Sequence, residues 1–95
     1  MFIIELNYKV ELEDIDAHMK EHVVYLNKYY KSKKFIVSGR KIPREGGIII
    51  ATASTKKEIE KIIKQDPFYK YKLADFRIIE FNTSQKANNI NELIH

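Results

Sequence analysis

Two hydrophobic periods alternate along this chain, and their order leaves few folds open to it. Phe2, Ile4, Leu6 and Tyr8 alternate with Ile3, Glu5 and Asn7, the two-residue period of a strand with one strongly apolar face. From about Glu13 to Ser32 the period lengthens. Ile15, Met19, His22, Leu26 and Tyr29 follow helical spacing, with Glu13, Asp14 and Asp16 early and Lys28 and Lys31 late, a charge order that complements the helix dipole. Phe35 to Lys41 reads as a second strand and Ile48 to Ala53 as a third. The segment Ile42-Pro43-Arg44-Glu45-Gly46-Gly47 between them supplies the turn chemistry of a hairpin. Thr55-Lys56-Lys57-Glu58 has capping-box spacing and opens a helix with the stripe Ile59, Ile62 and Ile63, which Pro67 is expected to stop. Ala74 to Phe81 forms the last strand. Asn82 to His95 is a polar tail with a short helical pattern in Ile90, Leu93 and Ile94.

The order β-α-β-β-α-β implies an α+β, ferredoxin-like antiparallel sheet with both helices on one face, in a single domain over residues 1–81 followed by the tail. Ninety-five residues with 44% hydrophobic content suffice for one core and not for two. Alternate residues of a strand point to opposite sides. Ile3, Ile36, Ile49, Ala51 and Ile79 therefore cannot face the helices if Ile4, Val37, Ile50 and Ile78 do. On this reading the second face is too apolar to stay in water, and a homodimer through the sheet face is the simplest cover.

Several function classes are disfavoured. With no Cys, neither disulfides nor a thiolate site can contribute. The longest apolar runs, such as Ile48 to Ala51, fall far short of a membrane span, and Met1 leads straight into a strand pattern, so a cytoplasmic protein without membrane partners is expected. The formal charge of +4 comes from scattered lysines, which form a solvated surface rather than a nucleic-acid footprint. RNA-recognition domains share the same element order, but their third strand carries stacking aromatics. Here it reads Gly46-Gly47-Ile48-Ile49-Ile50-Ala51-Thr52-Ala53, without one.

Two polar groups interrupt faces that should be buried. His22 lies in the stripe of the first helix, and Asp66 occupies the position where Ile59, Ile62 and Ile63 would next turn inward. A pocket His can take and return a proton near neutral pH, and a carboxylate partner would fix its tautomer. Each also has a purely structural reading: a core His satisfied by a backbone carbonyl, and an Asp that ends its helix before Pro67. His18-Met19-Lys20-Glu21-His22 matches the H-x-x-E-H spacing of inverted zinc peptidases. Such a centre needs a further ligand from a distant helix and a wide cleft, so no metal is assigned.

Glu21-His22-Val23-Val24-Tyr25-Leu26, then Ile36-Val37-Ser38-Gly39, then Lys64-Gln65-Asp66-Pro67-Phe68 together resemble, in order and spacing, the YCII-related family of small YciI-like proteins. The resemblance covers residues 1–81. It implies a dimeric α+β barrel and a pocket in which His22 and Asp66 form a pair, with Ser38 and Gly39 nearby. Three positions depart from the family's pattern: Arg40 stands where Pro is frequent, Lys72 where Gly is common, and Met19 where an Arg often precedes the His. In an enzyme of this kind His22 would be the general acid/base and Asp66 its orienting partner. The Ser38 hydroxyl and Gly39 amide would position a substrate oxygen, and Phe68 would help bind the substrate. Isomerisation or elimination on a small polar metabolite, with no cofactor, fits better than hydrolysis. A dimer that binds a metabolite without transforming it is the alternative.

Overall fold

The computed structural model describes residues 1–94 as β1 (Phe2–Tyr8), α1 (Leu12–Ala17), α2 (Met19–Lys31), β2 (Phe35–Arg40), β3 (Gly46–Ala51), α3 (Lys56–Ile63), α4 (Pro67–Lys70), β4 (Ala74–Glu80) and α5 (Ile90–Leu93). All four strands join one antiparallel sheet in the order β2-β3-β1-β4, the α+β arrangement that the periods predict. His95, the end of the expected tail, lies outside the described residues. No described helix is long and apolar enough to cross a membrane.

Cross-strand partners share a face, so the register decides what is buried. Ile4 pairs with Ile49 on one side and Ile78 on the other, and Phe2 pairs with Ala51. Together with Leu6 and Phe35, these residues meet Ile15, Tyr25, Ile59, Ile62, Ile63 and Phe68 from the helices in one core. The opposite face carries Val37, Ile50, Ile3 and Ile79, successive partners across all four strands. This corrects the expected grouping, since Ile49 and Ala51 are core residues and Val37 and Ile50 belong to the open face. Alternation defines two faces within each strand but not which one meets the helices. In β2 a bulge at Ile36 also resets the parity, so that Phe35 and Ser38 stand on the same side.

The hairpin is shorter and earlier than its composition suggests. Gly46 and Gly47, expected in the turn, are strand residues. A side chain on Gly46 would come within 1.8 Å of the Leu6 carbonyl oxygen, so only glycine lets β3 approach β1 at this point. The first helix is also two helices. His18 leaves helical geometry at φ −112° and ψ 7°, its ring stacks on Tyr71 with centroids 4.4 Å apart, and α2 starts afresh at Met19.

Thr55 caps α3 by accepting from the Glu58 amide at 3.2 Å, and the Glu58 carboxylate reaches back to the Ser54 amide at 3.2 Å. That is the expected capping box, displaced by one residue on its return arm. Pro67 does not stop α3, which has already ended at Ile63; it starts α4, where a missing amide hydrogen costs nothing.

Both α2 and α4 end in Schellman motifs. Lys33 and Lys34 donate to the Tyr30 and Tyr29 carbonyls, and Lys72 and Leu73 donate to those of Tyr69 and Phe68. The left-handed residue is a lysine each time, Lys33 at φ 62° and Lys72 at φ 56°. The departure noted at Lys72 is thus a position whose backbone favours glycine. Relief of the left-handed strain, about 1–2 kcal/mol, outweighs the greater chain entropy of glycine at about 0.5–1 kcal/mol. Lys33→Gly and Lys72→Gly should therefore each raise the unfolding free energy by about 0.5–1 kcal/mol in urea denaturation. A loss of stability in both would contradict the backbone assignment.

Candidate functional site

The site begins with the way Asp66 starts α4. As N-cap it turns its side chain back, and Oδ1 accepts the Phe68 amide at 2.9 Å. The same oxygen lies 2.8 Å from His22 Nδ1. A carboxylate oxygen can only accept, so Nδ1 carries the proton. In the neutral ring the lone pair then sits on Nε2. Asp66 is fully buried, and its second oxygen, Oδ2, has no hydrogen-bond partner among the described residues.

Packing fixes the imidazole in the remaining directions. Phe68 lies parallel to it, with centroids 4.0 Å apart and 4° between the planes. One turn further along α2, the Tyr25 hydroxyl donates to the Ile62 carbonyl at 2.9 Å and ties α2 to the end of α3. Burial chiefly, then the Asp66 and Tyr29 charges, push this hydroxyl far above the usual tyrosine range, so it remains a neutral donor.

The exposed side of His22 lines a cavity of about 210 Å³ between α2 and the β2–β3 end of the sheet. Ser38 and Gly39, expected near the His, line it too. The Ser38 hydroxyl is hydrogen-bonded to the Tyr30 hydroxyl, which sets its direction. Gly39 faces the opposite side of the strand from Ser38, so its contribution to the cavity is backbone. Phe68 borders the cavity but is only 1% exposed, and its principal contact is the His22 ring.

Tyr8 and Arg40 also line this space, and the sequence reading assigned neither to the site. The signal was available: Tyr8 continues the inward row Phe2, Ile4 and Leu6, and Arg40 is two residues beyond Ser38 on the same strand. Met19, where the family resemblance led one to look for an Arg, contributes a thioether to the wall instead.

The two histidines of the H-x-x-E-H spacing have separate partners among the described residues. His22 Nδ1 is engaged by Asp66, and His18 Nδ1 lies 3.5 Å from Glu21. No group of three or more His, Asp or Glu side chains is placed to hold a metal among the described residues.

Asp66→Ala removes both acceptor bonds at once. It should cost about 1–2 kcal/mol through the lost cap and should release the His22 tautomer. Nitrogen-15 spectra of the neutral ring should show protonated Nδ1 in the wild type and a mixed population in the variant. An unchanged tautomer would mean that the carboxylate does not orient the ring.

The model of one protein family, the YCII-related domain, matches residues 1–82. Among solved structures, the chain is similar to 5-chloro-2-hydroxyhydroquinone dehydrochlorinase from Burkholderia phenoliruptrix AC1100, determined in complex with 2,5-dihydroxybenzoquinone. The TM-score is 0.75 at 20% sequence identity, over 85% of this chain and 92% of that one. A likeness at this identity establishes the fold. No curated protein matches the chain.

Proposed function

This chain belongs to the YCII-related domain family, and on that premise we propose that the His22–Asp66 pair transfers protons in an isomerisation or elimination of a small polar compound. The observation that carries this reading is the division of labour on one ring: Nδ1 is held by a buried carboxylate while Nε2 belongs to a side chain that lines a cavity. A base so arranged needs no rearrangement before it acts. His22 Nε2 removes a proton from a substrate carbon, and the C–H electron pair becomes the new C=C bond. In an elimination, the leaving group departs with its own bonding pair and the imidazolium then gives its proton to solvent; in an isomerisation, an adjacent double bond breaks and its displaced pair takes the proton back from the imidazolium at another atom. Asp66 stabilises the imidazolium between the two events. Ser38 and the Gly39 backbone place a substrate oxygen where charge develops. Loss of hydrogen chloride, which the name of the similar dehydrochlorinase describes, is a reaction of this type.

A panel of small phenols and oxo acids incubated in deuterium oxide tests this directly, with carbon-bound hydrogen exchange read by proton NMR. His22→Gln should slow exchange on an active compound by about 10²-fold or more, the usual worth of a positioned general base. Asp66→Asn should reduce it less. Exchange undiminished in His22→Gln would remove His22 from the chemistry, and binding without exchange anywhere in the panel would favour a non-catalytic ligand-binding protein.

We further propose that the working unit is a homodimer joined through the open sheet face. The row Val37, Ile50, Ile3 and Ile79 supports this, since it runs unbroken across the sheet and leaves Ile79 38% exposed in the single chain. Light scattering at micromolar concentration should give a dimer, and Ile3→Lys or Ile50→Lys should yield folded monomer. A concentration-independent monomer in the unsubstituted protein would overturn the assignment. Ile49→Lys would be uninformative, because Ile49 belongs to the core.

A further inference from the structure

Arg40 brings to the cavity a positive charge that nothing in the acid–base scheme uses. Alternation along β2 places its side chain on the same side as Ser38, about 6–7 Å further along the strand. Its cross-strand partner, Gly47, has no side chain to occupy the space beside it. Arg40 is exposed, lines the cavity and forms no ion pair among the described residues. The nearby carboxylate, Asp16, is already taken: Arg44 donates to its two oxygens at 2.5 and 3.4 Å, and that bond is the main reason its carboxyl is held below the usual range, with the Arg40 charge the smaller cause. Asp16 is thus paired with Arg44 and not with Arg40. Lys41, the next cation along, is likewise committed, to Glu5 at 3.0 Å.

Deeper in, the walls are apolar, built by Leu6, Met19, Val23, Leu26 and Ile49. An anionic group would lose too much hydration among these side chains, whereas at the mouth it can stay partly solvated and meet a planar guanidinium in the bidentate geometry that carboxylates favour. The volume of about 210 Å³ lies below the roughly 300–1,000 Å³ of drug-sized pockets, which limits the occupant to a compact body such as a single ring.

We infer that the cavity selects a small organic anion, with an apolar body among these walls, a carboxylate or phenolate against Arg40, and its reacting carbon toward His22. The placement of the reacting carbon rests on the proposed role of His22; the selection of an anion rests on Arg40 and stands independently.

Benzoate and its neutral isostere benzamide are the probes, titrated against the full chain and followed by the backbone amide signals of Ser38, Gly39 and Ile49. Benzoate should bind about tenfold more tightly than benzamide, the equivalent of one charge-assisted hydrogen bond. Arg40→Gln should erase that preference by weakening benzoate while leaving benzamide within about twofold, and Arg40→Lys should retain part of it. Equal affinities in the unsubstituted protein, a benzoate preference that survives Arg40→Gln, or no benzoate-induced shift at these amides would each overturn the inference. His22→Gln separates it from the acid–base reading. A benzoate preference that persists in that variant supports Arg40 as the selector whether or not hydrogen exchange is lost, and undiminished exchange would count against His22 alone.

Discussion

A single carboxylate oxygen, Asp66 Oδ1, determines more of this structure than any apolar contact. It accepts the Phe68 amide and meets the His22 ring, so it starts α4, joins α4 to α2 and sets a tautomer. Taking a carboxylate fully out of water costs several kcal/mol unless hydrogen bonds and charge compensate, and here the compensation comes through Oδ1. A buried carboxylate stands here in place of the aliphatic side chain that the stripe Ile59, Ile62 and Ile63 would lead to. Local departures from what stability alone would select are characteristic of functional sites. The residues around Asp66 limit the cost: Phe68 supplies both the amide and the stacking ring, and Tyr25 holds the end of α3 at a fixed distance from α2.

The cavity follows from an uneven distribution of bulk on the helix-facing side of the sheet. Toward β1 and β4 that side carries Phe2, Ile4, Leu6 and Ile78, and the helices close over it. Toward the far end of β2 and β3 the same side offers Ser38, Arg40 and Gly47, too small or too polar to be covered. The site is thus the place where the core runs out. His22 stands at that boundary, with Nδ1 held in the buried region by Asp66 while the residue lines the cavity.

Most of the scaffold was legible because periodicity reports burial directly. Every strand and both long helices could be read from the spacing of Ile, Leu, Phe and Tyr, and Thr55 and Glu58 marked the start of α3. His22 and Asp66 stood out because polar groups interrupted apolar stripes. Interactions between elements were harder to read. The break at His18 accompanies stacking on Tyr71, 53 residues away; the face of β3 depends on its register with β1; and the bulge at Ile36 reverses a parity that no local pattern encodes. Pro67 is ambiguous in the sequence because a proline can follow one helix or open the next, and only the Asp66 cap distinguishes the two. Arg40 stands out in the sequence as a departure from a family pattern, whereas its place beside Ser38 on the helix-facing side of β2 depends on the bulge at Ile36.

The open face is divided as unevenly as the covered one, and the division bears on how it could be buried. Beside the row Val37, Ile50, Ile3 and Ile79 runs a second row, Gly39, Ile48, Glu5 and Arg77. In this second row Glu5 is bound by Lys41 at 3.0 Å and approached by Arg77 at 4.0 Å; the Lys41 hydrogen bond chiefly holds its carboxyl below the usual range. A second chain laid over the first row would remove aliphatic surface from water, which favours association, while covering Glu5 would also desolvate its partners. Partial overlap, centred on Ile3 and Ile50 and stopping short of Glu5, avoids that cost.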